Sequence, residues 1–329
     1  MKYSIIIPVY NRPEEVEELL DSLKDQQYQN FEVLIVEDGS QVPCKEVVER
    51  YGDTLAVRYF QKDNEGPGPT RNYGAERAEG EYLLFFDSDC LIPADYLAEV
   101  DRELASHRVD AFGGPDASHP SFKPIQKAIS YSMTSFFTTG GIRGGKEKMD
   151  RFYPRSFNMG ISQDVFHSTG GFSRLRFGED LDFSIRIIRQ GFTTRLFPRA
   201  FVYHKRRTNF RQFFKQVYNS GIARINLHKR HKGTLKPVHL LPALFTLGCL
   251  LLVLLAFFNG WFLLPLLIFA LLIFADASLQ YKSPHIGMLS IAASFIQLFG
   301  YGLGFMKAFR KRMLMNKKEF HAYEKNFYE

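Results

Sequence analysis

The sequence predicts an α/β domain, with a mainly parallel sheet flanked by helices, followed by a hydrophobic C-terminal helical region. Three observations carry this prediction. Short apolar runs alternate with helix-spaced segments through residues 3 to 89, polar residues gather directly behind each run, and residues 238 to 306 are almost continuously apolar. A chain of 329 residues has room for one large domain with its own core and a smaller appendage.

Residues 3 to 9 (YSIIIPV) read as a short buried strand. In Arg12 to Gln27, Val16, Leu19, Leu20 and Leu23 recur at helical spacing, and Asn11 ahead of Pro13 makes an ordinary helix start. The pattern repeats as strand Phe31 to Val36, helix Lys45 to Tyr51, strand Thr54 to Phe60, helix Thr70 to Ala78 and strand Tyr82 to Phe86. Continuous apolar strands alternating with helices predict a parallel sheet covered on both faces. Beyond Asp89 the pattern loosens. It gives a helix near Ala94 to Ser106, a Gly- and Thr-rich loop from Thr138 to Gly145 that suits a lid, and a strand-like Ser156 to Ile161. A turn at Gly170-Gly171, a helix from Glu179 to Arg189 and a strand Phe201 to Tyr203 ending in His204 follow.

The net charge of +7 raises the question of nucleic acid, but the basic residues do not form an aromatic-interleaved groove. They crowd beside the apolar tail instead: 10 Lys or Arg lie between Lys205 and Lys236, and a second cluster runs from Lys307 to Lys318. That placement fits the positive-inside rule and contact with membrane lipid, with no nucleic acid partner. The 3 cysteines, Cys44, Cys90 and Cys249, make no close pairs, which fits a reducing compartment. Without a cleavable leader pattern, the first domain is expected to stay in the cytosol.

In a parallel sheet of this kind ligands bind beyond the carboxyl ends of the strands. The residues there are Tyr10-Asn11-Arg12, Glu37-Asp38-Gly39-Ser40 and Asp87-Ser88-Asp89. Two carboxylates held rigidly behind the apolar strand YLLFF repel each other unless a cation joins them. Mg²⁺ or Mn²⁺ chelated by a nucleotide diphosphate is the natural cation, because it takes one or two carboxylates together with phosphate oxygens. Taken alone, such a pair is also common in solvated loops.

Four segments in order make the chain resemble the family 2 glycosyltransferases of the GT-A fold: IIIPVYNR (5 to 12), VEDGS (36 to 40), GPTRNYGAERAEGEYLLFFDSD (68 to 89) and FGEDLDFSIR (177 to 186). The resemblance covers roughly residues 3 to 230. It implies that Asp38 contacts the base, that Pro8 and Arg12 shape the nucleotide pocket, and that Arg71 and Asn72 sit near the same nucleotide. It further implies that Asp87 approaches the ribose, Asp89 holds the metal, and the Glu179-Asp180 pair supplies the base of an inverting transfer, with Asp180 at the base position and Glu179 positioning the acceptor, or the two roles exchanged. His204 is the implied second metal ligand. Each residue has a plainer alternative: a turn-forming Asp38, a surface ion pair for Arg71, helix-dipole partners for Glu179 and Asp180, a structural His204. The Q-x-x-R-W sequence of processive synthases has no counterpart at Ser220 to Ile225, where no Trp follows the Arg, so transfer of a single sugar is expected.

His239 to Phe258 is long enough to span the ~30 Å hydrocarbon layer at about 1.5 Å per residue, and a second run continues after Asn259-Gly260. Asp276 is expected at the cytosolic end of that second span, near Lys282. A third segment, 286 to 306, is interrupted by Gly and Ser and is expected to be re-entrant or interfacial, which keeps the basic tail cytosolic. The expected organisation is a cytosolic catalytic domain over 1–230 and a membrane-anchoring region over 231–329, with spans near 239–258 and 261–279, in the cell (inner or plasma) membrane. The expected activity is single-sugar transfer from a nucleotide-sugar, with a UDP-sugar favoured, to a lipid-linked or other glycan acceptor at the membrane. A sugar nucleotidyltransferase would need a Gly-rich basic loop in place of PVYNR, and the intact carboxylates Asp38, Asp87, Asp89 and Asp180 argue against a degenerate membrane scaffold.

Overall fold

The computed structural model describes residues 1–139 and 152–320. The chain divides into two compact units, Met1–His119 with Glu147–Lys205 and Pro120–Lys146 with Arg206–Glu329. Of the loop expected at Thr138 to Gly145, residues 140–145 lie outside the described residues.

In the first unit, strands β1 (Tyr3–Val9) and β2 (Phe31–Asp38) are buried on both faces and pair in parallel. Helix α1 (Pro13–Lys24) joins them, burying Val16, Leu19, Leu20 and Leu23, the four residues whose spacing marks it in the sequence. A short α2 (Lys45–Glu49) and strand β3 (Val57–Lys62) extend the sheet to one side. Helix α3 (Pro67–Ala75) returns the chain to β4 (Tyr82–Phe86), which pairs with β1 from the other side. Gly74 lets α3 lie directly on the sheet, since a Cβ there would come within 2.6 Å of Ile6 Cγ2.

After β5 (Cys90–Leu91), α4 (Tyr96–Ser106), β6 (Ala111–Gly113) and β7 (Asp116–Ala117), the second unit takes α5 (Pro124–Thr134) and α6 (Phe136–Thr139). The first unit then resumes with β8 (Asn158–Ser162), α7 (Gln163–Thr169), α8 (Glu179–Arg189), β9 (Thr194–Leu196) and β10 (Val202–His204). The main sheet has the order β3-β2-β1-β4-β8-β6-β9, with a small sheet β5-β10-β7 beside it. Strand β8 is antiparallel to both β4 and β6, so the mainly parallel sheet carries one reversed strand. The strand order reverses between β1 and β4, and a crevice beyond their carboxyl ends is where such sheets bind ligands.

The second unit is helical: α5 and α6 with α9 (Phe210–Arg230), α10 (Leu241–Ala256), α11 (Leu264–Tyr281) and α12 (Pro284–Ala308). Among the described residues, three segments are long and apolar enough to cross a membrane: Pro237–Ala256, Gly260–Tyr281 and Pro284–Leu314, with mean hydropathies of 2.4, 2.4 and 1.6. The first two form the expected hairpin, turning where Asn259 accepts a hydrogen bond from the Trp261 N–H. Their apolar side chains stand outward, Phe257, Phe258 and Trp261 among them, as lipid-facing residues do. Asp276 lies within α11 and accepts a hydrogen bond from the Tyr131 hydroxyl of α5 at 2.6 Å.

In the third segment α12 is one unbroken helix, and its glycines serve packing instead of breaking it. Gly300 and Gly304 lie against Val217 and Tyr218 of α9, and Gly302 against Pro242 of α10. Small residues at this spacing bring helix backbones close.

Candidate active site

At the end of β1 the chain turns through Asn11, held in the left-handed region at φ 53°. Its side-chain oxygen accepts the N–H groups of Gln41 and Val42 at 2.7 and 3.0 Å, and its own N–H donates to Ser40 Oγ, fastening this turn to the loop after β2. Pro8 sits opposite Val36, past Ile6↔Phe85 where the β1–β4 ladder ends, so its missing N–H interrupts no bond to β4. Asp38 closes β2. Its buried carboxylate accepts the N–H groups of Glu65 and Gly66, each at 2.9 Å, and Lys62 Nζ at 3.2 Å. The neighbouring Glu37 is wholly enclosed by Ser40, Cys44 and Tyr59, and burial pushes the Cys44 thiol well above its ordinary range.

Helix α3 presents Arg71 and Asn72 from beneath. Arg71 is not on the surface; it is only 3% exposed, and its guanidinium reaches Asp87 at 2.6 Å and Glu179 at 3.1 Å. Asn72 spends its amide on Phe172, donating to the carbonyl and accepting from the N–H, both at 2.8 Å. Thus the two residues that adjoin in sequence fasten different parts of one site.

Gly178, at φ 83°, opens α8 and sets Glu179 and Asp180 in its first turn. Both are buried, and the two carboxyls are driven in opposite directions. Burial pushes Glu179 up to about 7, with the Asp180 charge adding and Arg71 opposing. Burial acts on Asp180 as well, but the Arg155 guanidinium, 2.5 Å away, holds it below its usual range. Leu181 N–H adds a bond to Asp180 at 2.7 Å. No pattern in the sequence marks Arg155; it lies 25 residues from Asp180 in a stretch without periodicity.

The antiparallel pairing of β5 and β10 places His204 opposite Cys90, and there His204 Nε2 comes within 3.1 Å of Asp89 Oδ1. Arg12 Nη1 lies 2.8 Å from the other Asp89 oxygen, and the His204 ring stacks on Phe157. Donor atoms of Asp89, Cys90 and His204 all lie within 4.8 Å of one another. One carboxylate and one imidazole, completed by phosphate oxygens, suit Mn²⁺, and Mg²⁺ less well since it favours oxygen alone. Cys90 is buried and directs its thiol to the Phe157 carbonyl at 3.6 Å. The residues present fit a divalent cation.

Residues 4–169 match the model of a family described as glycosyl transferase family 2. An uncharacterized glycosyltransferase of Rickettsia felis is 36% identical over 143 residues, 43% of this chain and 23% of that protein. The poly(ribitol-phosphate) beta-N-acetylglucosaminyltransferase TarS of Staphylococcus aureus is 37% identical over 114 residues, 33% of this chain and 20% of that protein. The matched part of the chain therefore spans about a quarter or less of the length of these relatives. In structure, TarS 1–349 in complex with UDP-GlcNAc aligns at TM-score 0.52 and 19% identity over 97% of this chain and 93% of that one. A mannosyltransferase of Pyrobaculum calidifontis in complex with GDP-Man and Mn²⁺ aligns at TM-score 0.61 and 19% identity over 93% and 87%. These likenesses establish the GT-A fold.

Proposed function

The chain belongs to glycosyl transferase family 2, and from that premise we propose that it transfers a single sugar, with inversion, from a nucleotide-diphospho-sugar to a lipid-linked or cell-surface-polysaccharide-precursor acceptor at the membrane. A UDP-sugar is the favoured donor. The observation that carries the reading is the convergence of Asp87, Asp89, His204 and the Glu179-Asp180 pair around Arg71 and Arg12 at the switch point of the sheet.

In this reading Pro8, Arg12 and Asp38 form the nucleotide pocket, Arg71 and Asn72 support it from α3, and Asp87 meets the ribose. Asp89 and His204 hold the divalent cation. When bound, that cation neutralises the diphosphate and so eases its departure. Asp180 takes the proton of the acceptor hydroxyl, a poor nucleophile at neutral pH, and the depressed Asp180 carboxyl is ionised there as a base must be. Glu179 orients the acceptor. Arg12 lies next to the phosphate positions and supports the leaving group electrostatically.

The domain over 1–230 is assigned to the cytosolic side and the region over 231–329 to the inner or plasma membrane, its basic residues on anionic lipid. A membrane-confined site favours acceptors that are themselves held at the bilayer. The test is a panel of nucleotide sugars offered to the full chain with Mn²⁺ and a membrane extract, read by nucleoside diphosphate release. Release from one donor, dependent on extract and abolished by chelation, is the expected result; none from any donor would sink the proposal.

A further inference from the structure

Arg71 carries a buried guanidinium whose two terminal nitrogens serve carboxylates on different elements. Nη2 donates to Asp87 behind β4 at 2.6 Å, and Nη1 donates to Glu179 in the first turn of α8 at 3.1 Å. The Phe172 ring lies 5.4 Å from the guanidinium carbon, and the adjacent Asn72 clamps the backbone of that same Phe172. The guanidinium is therefore held between two carboxyl groups, and its hydrogen bonds are divided between them. Arg71 and Glu179 are buried while Asp87 opens to solvent, so whatever binds Asp87 redistributes the bonding of the guanidinium to the other carboxyl.

We propose that Arg71 is a positioning residue that couples the donor side of the site to the acceptor side through an Asp87–Arg71–Glu179 bridge. The inference rests on the reading that Asp87 meets the donor ribose and Glu179 the acceptor. A ribose hydroxyl that donates to Asp87 competes with the guanidinium for that carboxylate and shifts the bonding of Arg71 toward Glu179, so the acid pair senses an occupied donor pocket. Arginine is required. Its planar fork reaches two carboxylates at once, whereas an ammonium presents a single point of charge.

The experiment is a double-mutant cycle on the full chain in detergent: wild type, Glu179→Gln, Arg71→Met and the double variant, each titrated calorimetrically with UDP and Mn²⁺. Glu179→Gln is expected to change UDP affinity by about threefold or more in the wild-type background and to leave it nearly unchanged once Arg71 is Met. Equal effects in both backgrounds would overturn the coupling. Arg71→Lys is expected to behave like Arg71→Met, and recovery of wild-type coupling by Lys would likewise overturn it. Because Arg71→Met strands a buried carboxylate, Tm is measured on all four proteins. The double variant is expected to melt above Arg71→Met, and a double variant no more stable than that single one would remove the bridge itself. A wild type that binds neither UDP nor GDP with Mn²⁺ would overturn the nucleotide reading, and the Tm cycle would still decide whether the bridge exists.

Discussion

Asp180→Asn separates chemistry from architecture. The side chain is nearly isosteric, and an amide oxygen can still accept the Leu181 N–H now bonded to Oδ1 at 2.7 Å. What is lost is the negative charge facing Arg155 Nε at 2.5 Å. Because the Arg155 side chain is 33% exposed, water takes over its solvation, and the fold loses about 1–3 kcal/mol, the worth of a charge-assisted hydrogen bond. A positioned base contributes about 10²- to 10⁴-fold to rate, which at about 1.4 kcal/mol per decade is roughly 3–5 kcal/mol of barrier. Turnover measured by nucleoside diphosphate release should therefore fall at least about 100-fold while calorimetric nucleotide affinity stays nearly constant. Turnover within about threefold of wild type would refute the base assignment. Retention of the anomeric configuration in the product would refute the inverting mechanism even if the variant were inactive.

Three further outcomes follow from particular contacts. Asp89→Ala should abolish Mn²⁺ binding measured by paramagnetic resonance in the presence of UDP, and normal metal affinity would show that the cation sits elsewhere. Glu179 is raised from 4.5 to about 7, so the folded protein holds a proton there that the unfolded chain releases; its contribution to stability is full below 4.5 and lost as pH rises toward 7. Glu179→Gln should accordingly flatten the fall of Tm across that window, and an unchanged Tm profile would contradict the shift. Gly304→Ala puts a methyl group 2.0 Å from the Tyr218 carbonyl oxygen, and should destabilise the α9–α12 packing by about 1–3 kcal/mol, read as a lower Tm in detergent. An unaltered Tm there would mean that the two helices separate without loss.

The strands and helices that bear the motifs were legible because burial and periodicity coincide in them. Tyr82–Phe86 is apolar without a break and fully buried, whereas in α8 helical spacing points to Leu181, Ile185 and Ile188 and the structure buries Phe183, Ile185 and Ile187, leaving Leu181 and Ile188 half-buried. Periodicity reports burial but not the direction of a partner, so the reversed strand β8 was not legible as such. Strands of two or three residues, such as β5, β7 and β9, are shorter than any period. The site residues Asp87, Asp89, Glu179 and Asp180 stand out as carboxylates at element ends. The burial of Arg71 does not, because α3 is polar enough to pass for a surface helix. Arg155 left no signal, since its role comes from a tertiary approach to α8. Helix α9 is hidden for another reason: in sequence its basic residues register as charge beside the tail, while Val217, Gly221 and Ile225 form the face it buries.

The described residues 120–139 belong to the helical unit although the sheet that precedes them is only partly built. During synthesis β1 to β4 emerge before them, while the acid pair of α8 and His204 of β10 emerge after. Between Asp89 and His204 lie 115 residues of elongation, about 6–23 s at ribosomal rates of roughly 5–20 residues per second. For that interval the nascent chain carries only part of the proposed site. Helix α5 waits longer. Its Ala128, Ile129 and Met133 are covered by Phe213 and Val217 of α9 and by Ile286 and Ala293 of α12, which follow it in the chain by about 80 to 165 residues. Until α9 and α12 emerge, the nascent polypeptide displays the apolar face of α5, which a chaperone or a lipid surface would shield.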